Sequence, residues 1–149
     1  MDTVLFTRDV WLPKVLATGD ALWLEVVGGA DVLHQPREFL VPVREEHLAA
    51  LERSLPRHVL LNAALSPLCY AAGVRGDWDE QAAASLVDVV LLGTPAEVDA
   101  VLRGAEVNER QLIAHGASLP ALEEGRYVEA VEPVTVGSDW ERVRRHEGR

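Results

Sequence analysis

The first third of the chain places apolar side chains at every second position, as β-strands do. Residues 21–27 (ALWLEVV) and 37–43 (REFLVPV) show this alternation, and residues 3–7 (TVLFT) are rich in strand-forming types. A Thr-Gly-Asp turn at residues 18–20 separates the first of these runs from an earlier apolar run. The pattern predicts a small antiparallel meander of three or four strands within residues 1–43.

Two prolines restrict where these strands can lie in a sheet. Proline lacks the N–H that a strand needs for pairing on both sides, so it favours edge strands. Pro13 therefore predicts that the segment before the turn is an edge strand or irregular. Pro42 predicts an edge position for the last strand of the meander.

From residue 44 onward the apolar period lengthens to about 3.6 residues, the period of a helix. Leu48, Leu51 and Leu55 form a stripe, and Ser54 is predicted to cap the start of a new helix. That helix is apolar on nearly every side, is expected to kink or restart at Pro67, and should therefore lie in the centre of the domain. The remaining segments bring the predicted number of helices to five or six.

The clearest local signal is the sequence Thr94-Pro-Ala-Glu97, which has the form of a capping box with proline in the first turn. Residues 85–92 are less clear, because their dense β-branched side chains also suit a buried strand. A helix is favoured there because Asp79 can cap it. The sequence thus predicts one α+β domain over 1–149, with residues 1–43 strand-rich, 44–137 helical and 138–149 a charged tail.

The charge balance excludes some partners and favours others. The net charge is −10, and no basic patch could neutralise several phosphates, so nucleic acid and anionic membrane surfaces are disfavoured. Residues 73–106 hold seven acidic residues against two arginines, which suits a basic protein partner. Cys69 is the single cysteine, and no secretory or membrane-spanning segment is visible, so a cytoplasmic location is expected.

The sequence contains none of the motifs that would indicate a particular chemistry. The histidines lack the spacing of metal ligands, and no phosphate loop or nucleophile elbow occurs, so we predict no catalytic residue, metal or cofactor. If the chain is an enzyme, the polar residues to test are Glu45, Glu46, His47, His58 and His115. The best candidates for a recognition surface are two tryptophans and the acids beside the second of them: Trp11, Trp78, Asp77, Asp79 and Glu80.

Three segments in order, PREFLVPVREEHL, LLGTPAEVDAVL and LIAHGA, resemble a family of small uncharacterised actinobacterial proteins, a domain of unknown function. The resemblance covers most of the chain and implies no activity, because its motifs are typical of a fold and not of a catalytic site.

Three hypotheses for the function follow. The first is a non-enzymatic protein-binding module of immunity or regulatory type, with an acidic surface. The second is a small enzyme or ligand-binding protein whose site lies between sheet and helices. The third is a homo-oligomeric structural protein that assembles through Trp11 or through a sheet edge.

Overall fold

Four strands pair in chain order and form an antiparallel meander. The computed structural model describes residues 2–9, 12–29 and 35–135. In it, β1 spans Thr3–Phe6, β2 Lys14–Thr18, β3 Ala21–Gly28 and β4 Arg37–Val43. Gly19 takes a φ of 60° in the β2–β3 turn, a conformation that suits glycine. The predicted N-terminal meander is therefore confirmed, with four strands.

The structure confirms the edge-strand prediction made from Pro42 and corrects the one made from Pro13. β4 is an edge strand, as Pro42 predicts. β2 lies between β1 and β3, so the edge alternative drawn from Pro13 is wrong, while the irregular alternative holds for residues 12–13. The reason is that Pro13 comes just before the first residue of β2, where its missing N–H interrupts no pairing.

The described residues after β4 form helices, as predicted, and only short connectors separate one helix from the next. They are α1 Glu45–Arg53, α2 Leu55–Ala72, α3 Glu80–Leu92, α4 Pro95–Arg103, α5 Glu109–Ala114, α6 Leu119–Glu123 and α7 Tyr127–Ala130. The sequence predicts five or six helices and the structure has seven. The difference comes from α6 and α7, which have only five and four residues and are too short to show a helical period. No helix in this described part is long and apolar enough to cross a membrane. The predicted tail, 138–149, lies outside the described residues.

Local capping determines where three of these helices begin. The Arg57 backbone N–H donates to Ser54 Oγ (3.1 Å), and the Ala82 N–H donates to Asp79 Oδ1 (3.0 Å). At α4, the Thr94 hydroxyl accepts from the Glu97 N–H (3.2 Å) and Glu97 accepts from the Thr94 N–H (2.9 Å). Residues 85–92 are therefore helical, as the cap predicts.

The α2 helix is the centre of the molecule. It packs against β3, α1, α3, α5 and α7, and for that reason its sequence is apolar around the whole helix. The helix continues through Pro67 and ends at Gly73, whose φ is 60°. The side of the sheet that faces the helices carries fully buried aliphatic residues such as Val15, Leu24 and Val41.

Candidate functional site

Trp78, proposed from the sequence as a recognition residue, lies against the outer edge of β4. Its ring contacts the Phe39 ring at a centroid distance of 4.6 Å, and its indole N–H donates to the Leu40 carbonyl (3.1 Å). The contact gives Trp78 a structural role in covering a strand edge. Asp79 caps α3, Asp77 and Glu80 are exposed, and Trp11 lies outside the described residues.

His47 is held at the start of α1. Its Nδ1 accepts from the Arg44 backbone N–H (3.0 Å), which places the ring proton on Nε2, and Nε2–H donates to Asp88 Oδ1 on α3 (2.7 Å). The imidazole therefore caps one helix while joining it to another. Glu45 and Glu46 are exposed in the same first turn, where their charges suit the helix N-terminus.

His58 is buried at the start of α2. Its Nε2–H donates to the Pro13 carbonyl (2.7 Å), and its Nδ1 accepts from Arg8 Nη1 (3.0 Å). Burial lowers the pKa of His58 to about 4, against a smaller opposing effect of the Pro13 hydrogen bond; the nearby Arg8 charge also lowers it. His58 is thus neutral at pH 7 and joins the segment before β2 to the central helix.

His115 ends α5, where its Nδ1–H donates to the Thr135 carbonyl (3.2 Å). The three histidines therefore bind different partners on different elements. Each has a structural role of its own, and their assignment to an enzyme site stays a prediction.

The described residues bring together no group of three histidine, cysteine, aspartate or glutamate side chains that could hold a metal ion. Cys69 is buried beneath β3, and its burial raises the pKa of the thiol to about 11. The thiol is therefore protonated at neutral pH, whereas the thiolate is the nucleophilic form.

The side of the sheet opposite the helices, here called the outward face, carries apolar side chains across all four strands. The pairing aligns Val4 with Leu16, Leu16 with Trp23, and Trp23 with Pro42, so these four form one continuous row. Val4 and Pro42 are exposed at its ends, whereas Trp23 is half-buried and Leu16 is buried. Two large apolar side chains outside this row, Val27 and Leu40, are exposed on the same face. A sheet face in contact with water usually carries alternating polar residues instead.

An ion pair lies in the middle of the outward face. Lys14 and Glu25 are opposite each other on β2 and β3, and Lys14 Nζ lies 3.2 Å from Glu25 Oε1. Glu25 is only 8% exposed, and the pair lines a small cavity of about 150 Å³ together with Thr7, Asp9, Leu12 and Val27. The pair neutralises a charge that would otherwise be buried alone.

A larger open groove of about 640 Å³, here called the α2–α5 groove, lies on the helical side. One wall is the α2 surface formed by Ser66, Pro67, Tyr70 and Ala71, and the other is the connector Glu106, Val107 and Asn108 before α5. This groove is not predictable from the sequence, because its two walls are 35 or more residues apart along the chain.

Amide side chains next to this groove join α2 to α5 and to the connector before it. Gln111 Nε2 donates to Ser66 Oγ (3.2 Å), Asn108 Nδ2 donates to the same oxygen (3.4 Å), and Asn62 Nδ2 donates to Gln111 Oε1 (3.1 Å). The network holds α5 against α2. Tyr70, on the groove wall, is exposed.

No curated protein and no solved structure matches this chain. The model of a family of unknown function, DUF6357, matches residues 1–149, which confirms the resemblance to a domain of unknown function expected from the three segments above. With the whole sequence matched, the chain belongs to the DUF6357 family of unknown function.

Proposed function

We propose that the chain is a non-enzymatic protein-binding module, and that its outward face contacts the partner. The observation that carries this proposal is the set of exposed apolar side chains on the outward face: Val4 is 50% exposed, Val27 47% and Leu40 42%, and Pro42 is exposed beside them. Leu16, which lies between Val4 and Trp23 in the row, is only 6% exposed and supports the patch from below. Exposed apolar patches of this kind mark contact surfaces in soluble proteins.

The packing between sheet and helices favours a contact surface over an interior active site. The facing side chains are aliphatic and fully buried, as at Val15, Leu24 and Leu61. Such close packing leaves substrate little room. The proposed location of the module is the cytoplasm, to which a single free cysteine is suited.

Charge favours a basic partner over a second copy of the chain. The exposed charges around the outward face include Asp2, Asp20 and Glu38, whereas Lys14 is paired with Glu25. Arg8 and Arg37 are engaged with backbone carbonyls of the helical part, at Glu52 and at Gly73 and Gly76. Two copies of a chain with a net charge of −10 would bring acidic rims together, while a basic protein would be attracted.

The test compares two leucines of matched exposure. Leu40 on the outward face is 42% exposed, and Leu92 at the end of α3 is 41% exposed. Proteins captured from a lysate of the source organism by the wild type are purified, and each binary complex is measured by calorimetry at low and moderate salt. Leu40→Glu should weaken binding about ten-fold or more, whereas Leu92→Glu should leave it unchanged.

Three outcomes would refute the proposal. The first is equal weakening by both leucine variants. The second is a captured partner that is acidic or whose affinity does not fall with added salt. The third is a stable dimer of the wild-type chain in light scattering that Leu40→Glu dissociates, since the outward face would then be a self-association surface.

A further inference from the structure

We propose that the α2–α5 groove binds an extended, arginine-bearing peptide segment of a basic protein. This site is separate from the outward face, because its walls come from α2 and from the connector before α5, and no strand contributes to them.

A buried hydroxyl donor is the first observation. Ser66 is 8% exposed, and its Oγ accepts hydrogen bonds from Asn108 and Gln111. Both of these bonds leave the Ser66 O–H itself free to donate. A carbonyl oxygen of a bound peptide backbone would accept from this hydroxyl on the groove side, where Ser66 lines the wall.

The groove wall supplies the apolar contacts that an extended peptide uses. Tyr70 follows Ser66 by one helical turn and is 63% exposed, the largest exposure among the big hydrophobic side chains described. Pro67 lies between them on the same wall, and Val107 lies opposite. Polyproline II segments dock in grooves lined by aromatic side chains, and they lose little entropy on binding because they are extended beforehand.

The sign of the charge in the groove selects an arginine. Glu106 is the charged residue among those that line the groove, and it lies at the end of the acidic stretch 73–106. A guanidinium combines stacking on an aromatic ring, here Tyr70, with pairing to a carboxylate, here Glu106, which an ammonium does less well. The occupant is therefore defined as an extended segment with arginine beside proline or an aliphatic residue.

The experiment uses the full chain labelled with ¹⁵N and the acetylated, amidated peptide Arg-Pro-Leu-Pro-Arg as probe. Amide shifts are followed during titration, and a peptide with glutamate in place of both arginines is the matched probe. The arginine peptide should shift residues 66–71 and 106–108 in a saturable way while the strand residues 4, 27 and 40 stay in place. The glutamate peptide should shift none of them.

Two surface variants test the contacts separately. Tyr70→Ala and Glu106→Gln should each weaken the arginine peptide about five-fold or more. Ile113→Ala, at an exposed position on α5 outside the groove, is the control and should leave the affinity unchanged. Both test positions are exposed, so the variants should fold as the wild type does.

Each of the following results overturns the inference: no groove shifts with the arginine peptide at millimolar concentration, equal shifts with the glutamate peptide, or unchanged affinity in both groove variants. Groove shifts that grow with protein concentration in the absence of peptide would also overturn it, because a second copy would then be the occupant. If the groove does not bind the arginine peptide, the comparison of Leu40→Glu with Leu92→Glu still tests the outward face. The two proposals can therefore fail separately.

Discussion

The backbone N–H of Asn108 donates to the carbonyl oxygen of Ala63 at 2.9 Å. In an uninterrupted helix that carbonyl would accept from residue 67, but residue 67 is proline and has no N–H to give. The connector before α5 thus docks at the one turn of α2 where proline frees an acceptor. A carbonyl that would otherwise be buried without a partner becomes an attachment point.

Hydrogen exchange should reveal this attachment. The Asn108 amide is expected to exchange about a hundred-fold or more slowly than the Glu106 amide, although both lie in the same connector, because the described residues offer the Glu106 N–H no acceptor. NMR-detected exchange at neutral pH measures both amides in one sample. Equal exchange rates at the two positions would mean that the connector opens freely from α2.

Acid should weaken the fold through His58. The unfolded chain takes up a proton on this imidazole near pH 6.5, whereas the folded chain does so only near its pKa of about 4. The free energy of unfolding is therefore unaffected above pH 6.5, falls as the pH drops from 6.5 to 4, and falls no further below 4 on this account. The total loss should be about 3 kcal/mol.

Urea denaturation at several pH values measures this loss, and the ring signals of His58 in NMR identify the group. Those signals should stay at their neutral positions between pH 7 and 5. His58→Gln should start from a lower stability at pH 7 and show a flatter decline below it. A His58 ring that titrates near 6.5 in the folded protein would contradict the expectation.

Loss of Lys14 should destabilise the sheet by leaving Glu25 buried without its ion partner. We expect Lys14→Met to lower the free energy of unfolding by about 1–2 kcal/mol, less than for a fully buried pair because Lys14 is partly exposed. Adding Glu25→Leu to the Lys14→Met variant should restore most of the lost free energy of unfolding, because the buried charge is then gone. The control is Arg44→Met, whose pairs with Glu46 and Asp88 are exposed and should matter by less than about 0.5 kcal/mol. Equal losses from Lys14→Met and Arg44→Met, measured by urea denaturation, would show that burial of Glu25 has no energetic consequence.

Gly28 should not tolerate a side chain. A Cβ atom at this position would lie 2.8 Å from the Cβ of Cys69, so β3 and α2 would have to move apart. We expect Gly28→Ala to lower the free energy of unfolding by about 1–3 kcal/mol, measured by thermal or urea denaturation. Gly104→Ala is the control, since its nearest contact would be an ordinary 3.7 Å from the Val101 carbonyl. A fully stable Gly28→Ala protein would show that the two layers are loosely packed here.

The features that the sequence predicted correctly are those that depend on neighbouring residues. Thr94 and Glu97 are three positions apart, so their capping box can be recognised without knowledge of the fold. The alternation of residues 21–27 likewise identifies which side of β3 is buried. Asp79, as a cap, correctly decided between helix and strand for residues 85–92.

The features that the sequence did not predict depend on pairing between distant residues. The apolar row on the outward face requires the register that aligns Trp23 with Leu16 and Pro42, and single strands do not reveal it. The hydrogen bond between His47 and Asp88 joins positions 41 residues apart. The α2–α5 groove also depends on distant residues. The N–H of Asn108, which bonds the carbonyl that Pro67 leaves without a donor, belongs to a connector far along the chain.

The indole of Trp78 has a consequence for how this protein behaves at high concentration. It occupies the Leu40 carbonyl on the free edge of β4, and at the other end of the sheet β1 is short and has an irregular register between Val4 and Phe6. Exposed strand edges are the usual starting points of fibrillar growth, and both ends are blunted here. Both edges are therefore poor templates for strand-by-strand polymerisation, as the proposed contact surface on the outward face requires of a chain that is not to stack on its own copies.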